Sequence, residues 1–169
     1  MAKLSLSLFA ADILQMNEDL QQTRSSGITS LHVDIMDGHF VPLFGLNPVW
    51  LKQIKKVYSI DQDFHFMAYM TKEMLDPYFS LEPVGITIHL EAGKKKENLE
   101  ILQQIKEKGI RDGIAISPES EWEEIKPYLE EAEERTCKRN RRRINFRRQR
   151  RNKNLCLLIY VWKVSEFRM

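Results

Sequence analysis

Cysteine is scarce in this 169-residue chain. Cys137 and Cys156 are the only two, and both lie near the C-terminus. They form no CxxC pair and have no histidine at zinc spacing, which argues against a cysteine-held zinc. No disulfide framework is suggested, which fits a reducing cytoplasm. Glycine is scarce as well, with seven in all and none beyond Gly113. No G-x-G-x-x-G follows the first strand-like run, which weighs against a dinucleotide-binding sheet. No stretch of about 18 apolar residues occurs, so no transmembrane helix and no membrane partner are expected. The N-terminus enters a strand-like run almost at once, without the long apolar region of a signal peptide.

A strong charge of one sign is also missing from the whole, where the formal net charge is +2. That mean describes neither part of the chain. Residues 1–134 hold 23 acidic and 13 basic side chains, a net of −10. Residues 135–169 hold 13 basic side chains and a single acid, Glu166, a net of +12. The length suffices for one domain with a substantial core.

What is present is alternation. Residues 4–9 (Leu-Ser-Leu-Ser-Leu-Phe) read as a first strand. Asp12 precedes a helix over 13–25, with Ile13, Met16 and Leu20 at helical spacing and Gly27 as its stop. Thr29 to Val33 reads as a second strand and 47–57 as a helix. Ile60 to Met67 is a third strand, followed by a helix from Lys72 to Phe79. Val84 to His89 is a fourth strand. Lys94 to Lys108 is an amphipathic helix stopped by Gly109. Ile110 to Ser117 is a fifth strand, and Glu119 to Glu133 a helix carrying Trp122, Ile125 and Leu129 on one side. Strict strand–helix alternation with short loops predicts a parallel sheet with crossover helices, in the α/β class. A (β/α)₈ barrel is favoured over a doubly wound sheet. Ser7, His32, Asp34, His65, His89, Glu91 and Ser117 all fall near C-terminal strand ends, the face on which barrels build active sites.

The densest chemistry lies in His32-Val-Asp-Ile-Met-Asp-Gly-His-Phe-Val-Pro42. On a strand His32 and Asp34 point to one face and Val33 and Ile35 to the other. An imidazole beside a carboxylate suits a divalent metal or a proton-transfer site. A polar strand end with a hydrogen-bonded histidine fits those residues equally well.

This stretch resembles the signature of the ribulose-phosphate 3-epimerase family, a group of phosphate-binding TIM barrels. Supporting pieces, in the same order, are Ser7 with Ala11-Asp12, Asp63-Phe-His65-Phe-Met67, Ile86-Thr-Ile-His-Leu-Glu-Ala92, and Gly113-Ile-Ala-Ile-Ser-Pro118. The resemblance runs from about residue 3 to about residue 133. It implies interconversion of D-ribulose 5-phosphate and D-xylulose 5-phosphate by proton transfer at C3 through an enediolate, with a divalent cation (Zn, Fe(II), Mn or Co). By the same resemblance His32, Asp34 and His65 match metal ligands, and Asp34 also matches one of two catalytic acid/base groups. Ser7, His65, Met36 and Met67 match substrate-side residues. Alone, Ser7 would be a strand-end hydroxyl bonded to backbone, His65 a structural histidine, and Met36 and Met67 core. Asp37 and His39 belong to the motif without a proton-transfer role, and His89 and Glu91 read as supporting residues. A small sugar phosphate as substrate, a cytoplasmic setting and a homo-oligomer follow from the same resemblance.

The chain departs from the family pattern in three places. Leu43 stands where the family usually has Asn, and Ala10 where a second Ser or Asn is common. Both fit a branch acting on another ketose phosphate, such as allulose 6-phosphate. After Glu133 the pattern stops, with no further strand, glycine-rich phosphate loop or second catalytic Asp. The fold expected is therefore a partial TIM (β/α)₈ barrel of about five βα units over 1–133, followed by a non-homologous basic tail over 134–169. A barrel of this type usually takes roughly 200–250 residues. The tail is expected to be disordered or irregular, with a strand-prone segment at 155–164. It reads in three ways: a nucleic-acid-binding arm on a non-catalytic protein, a solvated charge run, or a shifted reading frame. The abrupt change of composition favours the third. The gene read in its other two frames beyond codon 133 is then expected to encode a glycine-rich loop and a Val-Asp-Gly-Gly-like strand. Resequencing that finds the present frame intact argues against the shift.

Overall fold

The computed structural model describes residues 5–128 and 134–137. Six strands form one parallel sheet in the order β1-β2-β3-β4-β5-β6. They are β1 Ser5–Ser7, β2 Ser30–Met36, β3 Asp61–Met67, β4 Gly85–His89, β5 Arg111–Ile116 and β6 Glu134–Cys137. The connecting helices are α1 Met16–Ser25, α2 Pro48–Tyr58, α3 Lys72–Phe79, α4 Lys95–Glu107 and α5 Trp122–Ile125. Sequential strands pairing as neighbours through helical crossovers is the order of a (β/α) barrel wall rather than of a doubly wound sheet.

Period-two alternation gives the sheet two unlike faces. Leu31, Val33 and Ile35 of β2, Phe64 and Phe66 of β3, Ile86 and Ile88 of β4, and Ile114 and Ile116 of β5 lie in one apolar core. Leu20, Leu51, Leu75, Tyr78, Ile101, Leu102, Ile105 and Ile125 of the helices join them. Each such side chain, fully buried, contributes about 1.5–3 kcal/mol of transfer free energy, so this layer holds the helices to the sheet. The opposite parity carries polar side chains that are equally buried, His32, Asp34, Asp63, His65, Thr87 and His89, together with Met36, Met67 and Ala115. Parallel register stacks them in rows. His32 lies beside Ser7 and Asp63, Asp34 beside His65, and Met36 beside Met67.

Local chemistry sets the element ends. Asn47 caps α2, its Oδ1 accepting from the N–H groups of Val49 and Trp50 at 3.0 and 3.2 Å, with Pro48 in the first turn. Asn98 of α4 is buried and donates to Leu90 O at 2.7 Å, fastening the helix to the end of β4. Gly109 follows α4 at φ +71°, where a side chain is disfavoured.

Several expected bounds need correction: β1 stops at Ser7, with a 3₁₀ turn over Leu8–Ala10 in place of strand, and α1 begins at Met16 rather than at 13. β2 runs to Met36 rather than ending at Val33, because Asp34, Ile35 and Met36 continue the ladder with β3. The fifth helix covers 122–125 and then tightens into a 3₁₀ turn over 126–128. Pro127 lacks an N–H and crowds the carbonyl four residues back, which disfavours continuing the α-helix at this point. A sixth strand, 134–137, pairs in parallel with β5, where the alternation was expected to have stopped. The segment expected as a strand at 155–164 lies outside the described residues, as does the basic run from 138 onward.

Gly85 occupies a tight place. A Cβ there would press well inside contact distance on Asp63 Oδ1 and on the Arg111 guanidinium. These two groups form an ion pair at 3.3 Å across β4. Gly85→Ala is expected to destabilise the fold by about 1–3 kcal/mol through overpacking. Urea unfolding measures this, and an unchanged midpoint would contradict the tight fit.

Candidate metal centre

β2 and β3 bring together the residues that the motif had suggested. Asp34 Oδ1 lies 3.2 Å from His32 Nε2 and 3.1 Å from His65 Nδ1. The first contact follows from i,i+2 spacing on one strand, and the second from register across the ladder. All three residues are buried, and each offers a ligand atom within 4.8 Å of the others. The imidazole rings of His32 and His65 tilt toward each other, with centroids 5.5 Å apart.

Each histidine is braced from behind. His32 Nδ1 stands 3.7 Å from Asp63 Oδ2, an ion-pair distance rather than a hydrogen bond. His65 Nε2 meets His89 Nε2 at 3.0 Å, and His89 Nδ1 meets Glu91 Oε2 at 3.2 Å. Glu91 Oε1 accepts from Ser117 N–H at 2.7 Å and from Ser120 Oγ at 2.5 Å. Asp63 had no assigned role in the sequence. Its contact with His32 depends on strand register, which the local pattern does not display.

Burial and neighbours act in opposite directions on these groups. Burial pushes the Asp34 pKa up, but hydrogen bonds and charge from His32 and His65 overcome it and hold it below the usual carboxylate range. Burial pulls His32 down, while Asp34 and Asp63 raise it, and the net is a raised value. Glu91 is likewise pushed up by burial, yet His89, Ser120 and the Ser117 N–H bring it to about 2. Asp37 is held low, against slight burial, by the N–H groups of His39, Phe40 and Tyr69 at 2.8, 2.8 and 2.9 Å. That carboxylate ties the loop after β2 to the loop after β3.

The donor set suits a divalent cation. Two imidazole nitrogens and a carboxylate oxygen are ligands that zinc, iron(II), manganese and cobalt accept. Among the described residues, Asp34 Oδ2 is buried with no hydrogen-bond partner. A buried carboxylate oxygen without a partner is costly, and a cation would satisfy it.

The remaining suggested residues lie nearby. Met36 and Met67 are register partners, both buried, one step beyond Asp34 and His65 toward the C-terminal strand ends. Ser7 ends β1 beside His32 in register. It also lines a surface hollow with Leu6, Ala10, Ala11 and Thr23, which includes none of the three clustered residues.

A family model described as the ribulose-phosphate 3 epimerase family matches residues 3–134. The chain belongs to the ribulose-phosphate 3-epimerase family. Ribulose-phosphate 3-epimerase of Helicobacter pylori strain J99 is 33% identical over 128 residues, covering 76% of this chain and 57% of that protein. The cytoplasmic isoform of Oryza sativa is 30% identical over 129 residues, covering 76% and 56%. The Rhodobacter capsulatus enzyme is 30% identical over 131 residues, covering 78% and 57%. The chain thus spans little more than half the length of the curated relatives it matches. Among solved structures, the YdjI aldolase from Escherichia coli K12 superposes with a TM-score of 0.52 at 10% identity, over 80% of this chain and 54% of that one. That likeness concerns the fold alone and agrees with a partial barrel. Among the described residues, no helix is long and apolar enough to cross a membrane.

The opposed shifts of His32 and Asp34 set a pH window for the metal-free protein. Asp34 sits below its reference of 3.8, so its stabilisation is present above that value and is lost as pH falls through the folded pKa. His32 sits above its reference of 6.5, so its stabilisation is present below that value and is lost as pH rises through the folded pKa. With chelator present, the melting-temperature gap between wild type and Asp34→Asn is expected to be largest between these references. Melts from about pH 3 to about pH 9 test this, and a gap that stays constant across the range would contradict it.

Proposed function

We propose that this chain carries the metal-binding half of a ketopentose 5-phosphate 3-epimerase site, acting on D-ribulose 5-phosphate and D-xylulose 5-phosphate. The observation that carries this reading is Asp34 held between His32 and His65, inside the stretch that matches the family. His32 Nε2, His65 Nδ1 and Asp34 would hold a divalent cation, and the donor set admits zinc, iron(II), manganese or cobalt. Such a cation supplies Lewis acidity to meet the negative charge that develops on the substrate oxygens.

Asp34 then has two tasks in this reading. It ligates, and it moves the proton at C3 on one face of the sugar. A carboxylate kept ionised by two imidazoles is ready to accept that proton. Met36 and Met67 line the apolar side of the pocket, where water is excluded from the developing charge. Ser7 contacts substrate from β1. A cytoplasmic setting and a homo-oligomeric assembly belong to the same reading.

Epimerisation returns the proton on the opposite face, so it needs a second acid/base group. Asp34 is the only carboxylate among the described residues that matches one of the family's two. We therefore propose that the 169-residue polypeptide by itself binds cations weakly and turns over little. Isothermal titration with Co(II) is expected to show binding that Asp34→Asn abolishes; wild type and variant binding alike would refute the site. A coupled assay is expected to give little or no turnover, with no measurable change on Asp34→Asn. Turnover near that of a full-length relative would refute the impairment.

A further inference from the structure

We propose that Glu91, acting through His89, is a positioning residue that decides which nitrogen of His65 is available to a cation. The inference rests on the metal reading above and extends it by two residues toward β5.

The argument follows the hydrogen bonds inward from Glu91. Both of its oxygens are committed. Oε1 accepts from Ser117 N–H and Ser120 Oγ, and Oε2 faces His89 Nδ1 at 3.2 Å. An ionised carboxylate only accepts, so His89 carries its proton on Nδ1. A neutral imidazole with Nδ1–H offers Nε2 as an acceptor. The facing atom, His65 Nε2 at 3.0 Å, must then donate. In the metal-free chain Asp34 Oδ1 accepts from His65 Nδ1–H at 3.1 Å; a cation would displace that proton, and His65, keeping Nε2–H, would offer it the Nδ1 lone pair. Nδ1 is the ring atom turned toward the His32–Asp34 pair. The two rings stack with centroids 5.1 Å apart at 26°, which limits the freedom of either to turn. Ser117 follows directly on β5, so the β4 and β5 ends hold Glu91 in place from two sides. This is an outer-shell arrangement with a histidine inserted between carboxylate and ligand.

Glu91→Gln tests the idea with almost no change of shape. The Ser117 N–H requires an oxygen opposite it, so the amide NH₂ of glutamine falls where Oε2 was and points at His89 Nδ1. That reverses the direction of donation. His89 now accepts on Nδ1, donates from Nε2, and leaves His65 with its proton on Nδ1, where it blocks ligation.

Zinc affinity of the full chain, measured by isothermal titration with competing chelator, is expected to fall about 10–100-fold in Glu91→Gln. Ser120→Ala keeps the carboxylate and is expected to stay within about threefold. Melting of the metal-free variants checks that both remain folded. A second readout needs no variant. Zinc-loaded wild type labelled with ¹⁵N-histidine is expected to show Nε2–H on His65 and Nδ1–H on His89. Nε2–H on His89 would overturn the inference. So would wild-type zinc binding that Glu91→Gln leaves unchanged, while the metal reading would stand. Absence of zinc binding by the wild type would overturn the metal reading and this inference with it.

Discussion

Everything at the site depends on one carboxylate shared by two imidazoles on neighbouring strands. Asp34 Oδ1 meets His32 along β2 and His65 across the ladder to β3, at 3.2 and 3.1 Å. The first contact needs only an extended strand. The second needs β2 and β3 to pair in parallel with Asp34 opposite His65. A slip of one residue would bring Phe64 or Phe66 to that place and send His65 into the apolar layer under the helices. The register is therefore set by the apolar core, and the site inherits its geometry from Leu31, Val33, Phe64 and Phe66.

Much of this was legible in the sequence because it is local. The pattern His-x-Asp-x-Met can be read as one face of a strand without knowing its neighbour. Helix α3 has the span its residues suggested, and α2 and α4 differ from expectation only by a residue or so at their ends. Helix ends are set by Asn47, Pro48 and Gly109, each acting within one turn. What was not legible is what depends on partners far along the chain. Asp63 reads as one more acid on a strand until register places it behind His32. Glu91 reads as a supporting acid until Ser117 and Ser120 close on it from β5. β6 carries Glu-Arg-Thr-Cys, with no apolar alternation to announce a strand, and becomes one only by pairing with the edge of β5. In the opposite direction, the apolar spacing over 119–133 suggested a long helix, and Pro127 overrides it locally.

The buried polar face also bears on why these residues are where they are. From Arg111 through Asp63, His32, Asp34, His65 and His89 to Glu91, the side chains form one connected series, each within 3.7 Å of the next. Acids sit at positions two, four and seven of that series, so that no acid adjoins another. Such pairing limits the desolvation penalty but does not turn it into net stability, since packed apolar residues of similar volume would serve as well or better. Removing Asp34 would leave two buried imidazoles without their acceptor, a loss of about 1–3 kcal/mol for each group left unsatisfied. The series is hard to justify as a device for holding the fold. Its cost becomes reasonable if the middle three members exist to bind a cation and the outer four exist to keep them aimed. The helix-facing parity of the same strands is mostly Ile, Leu, Val and Phe, with buried Gln62 and Asp112 as the polar exceptions, and Gln62 there donates to Leu51 O of α2.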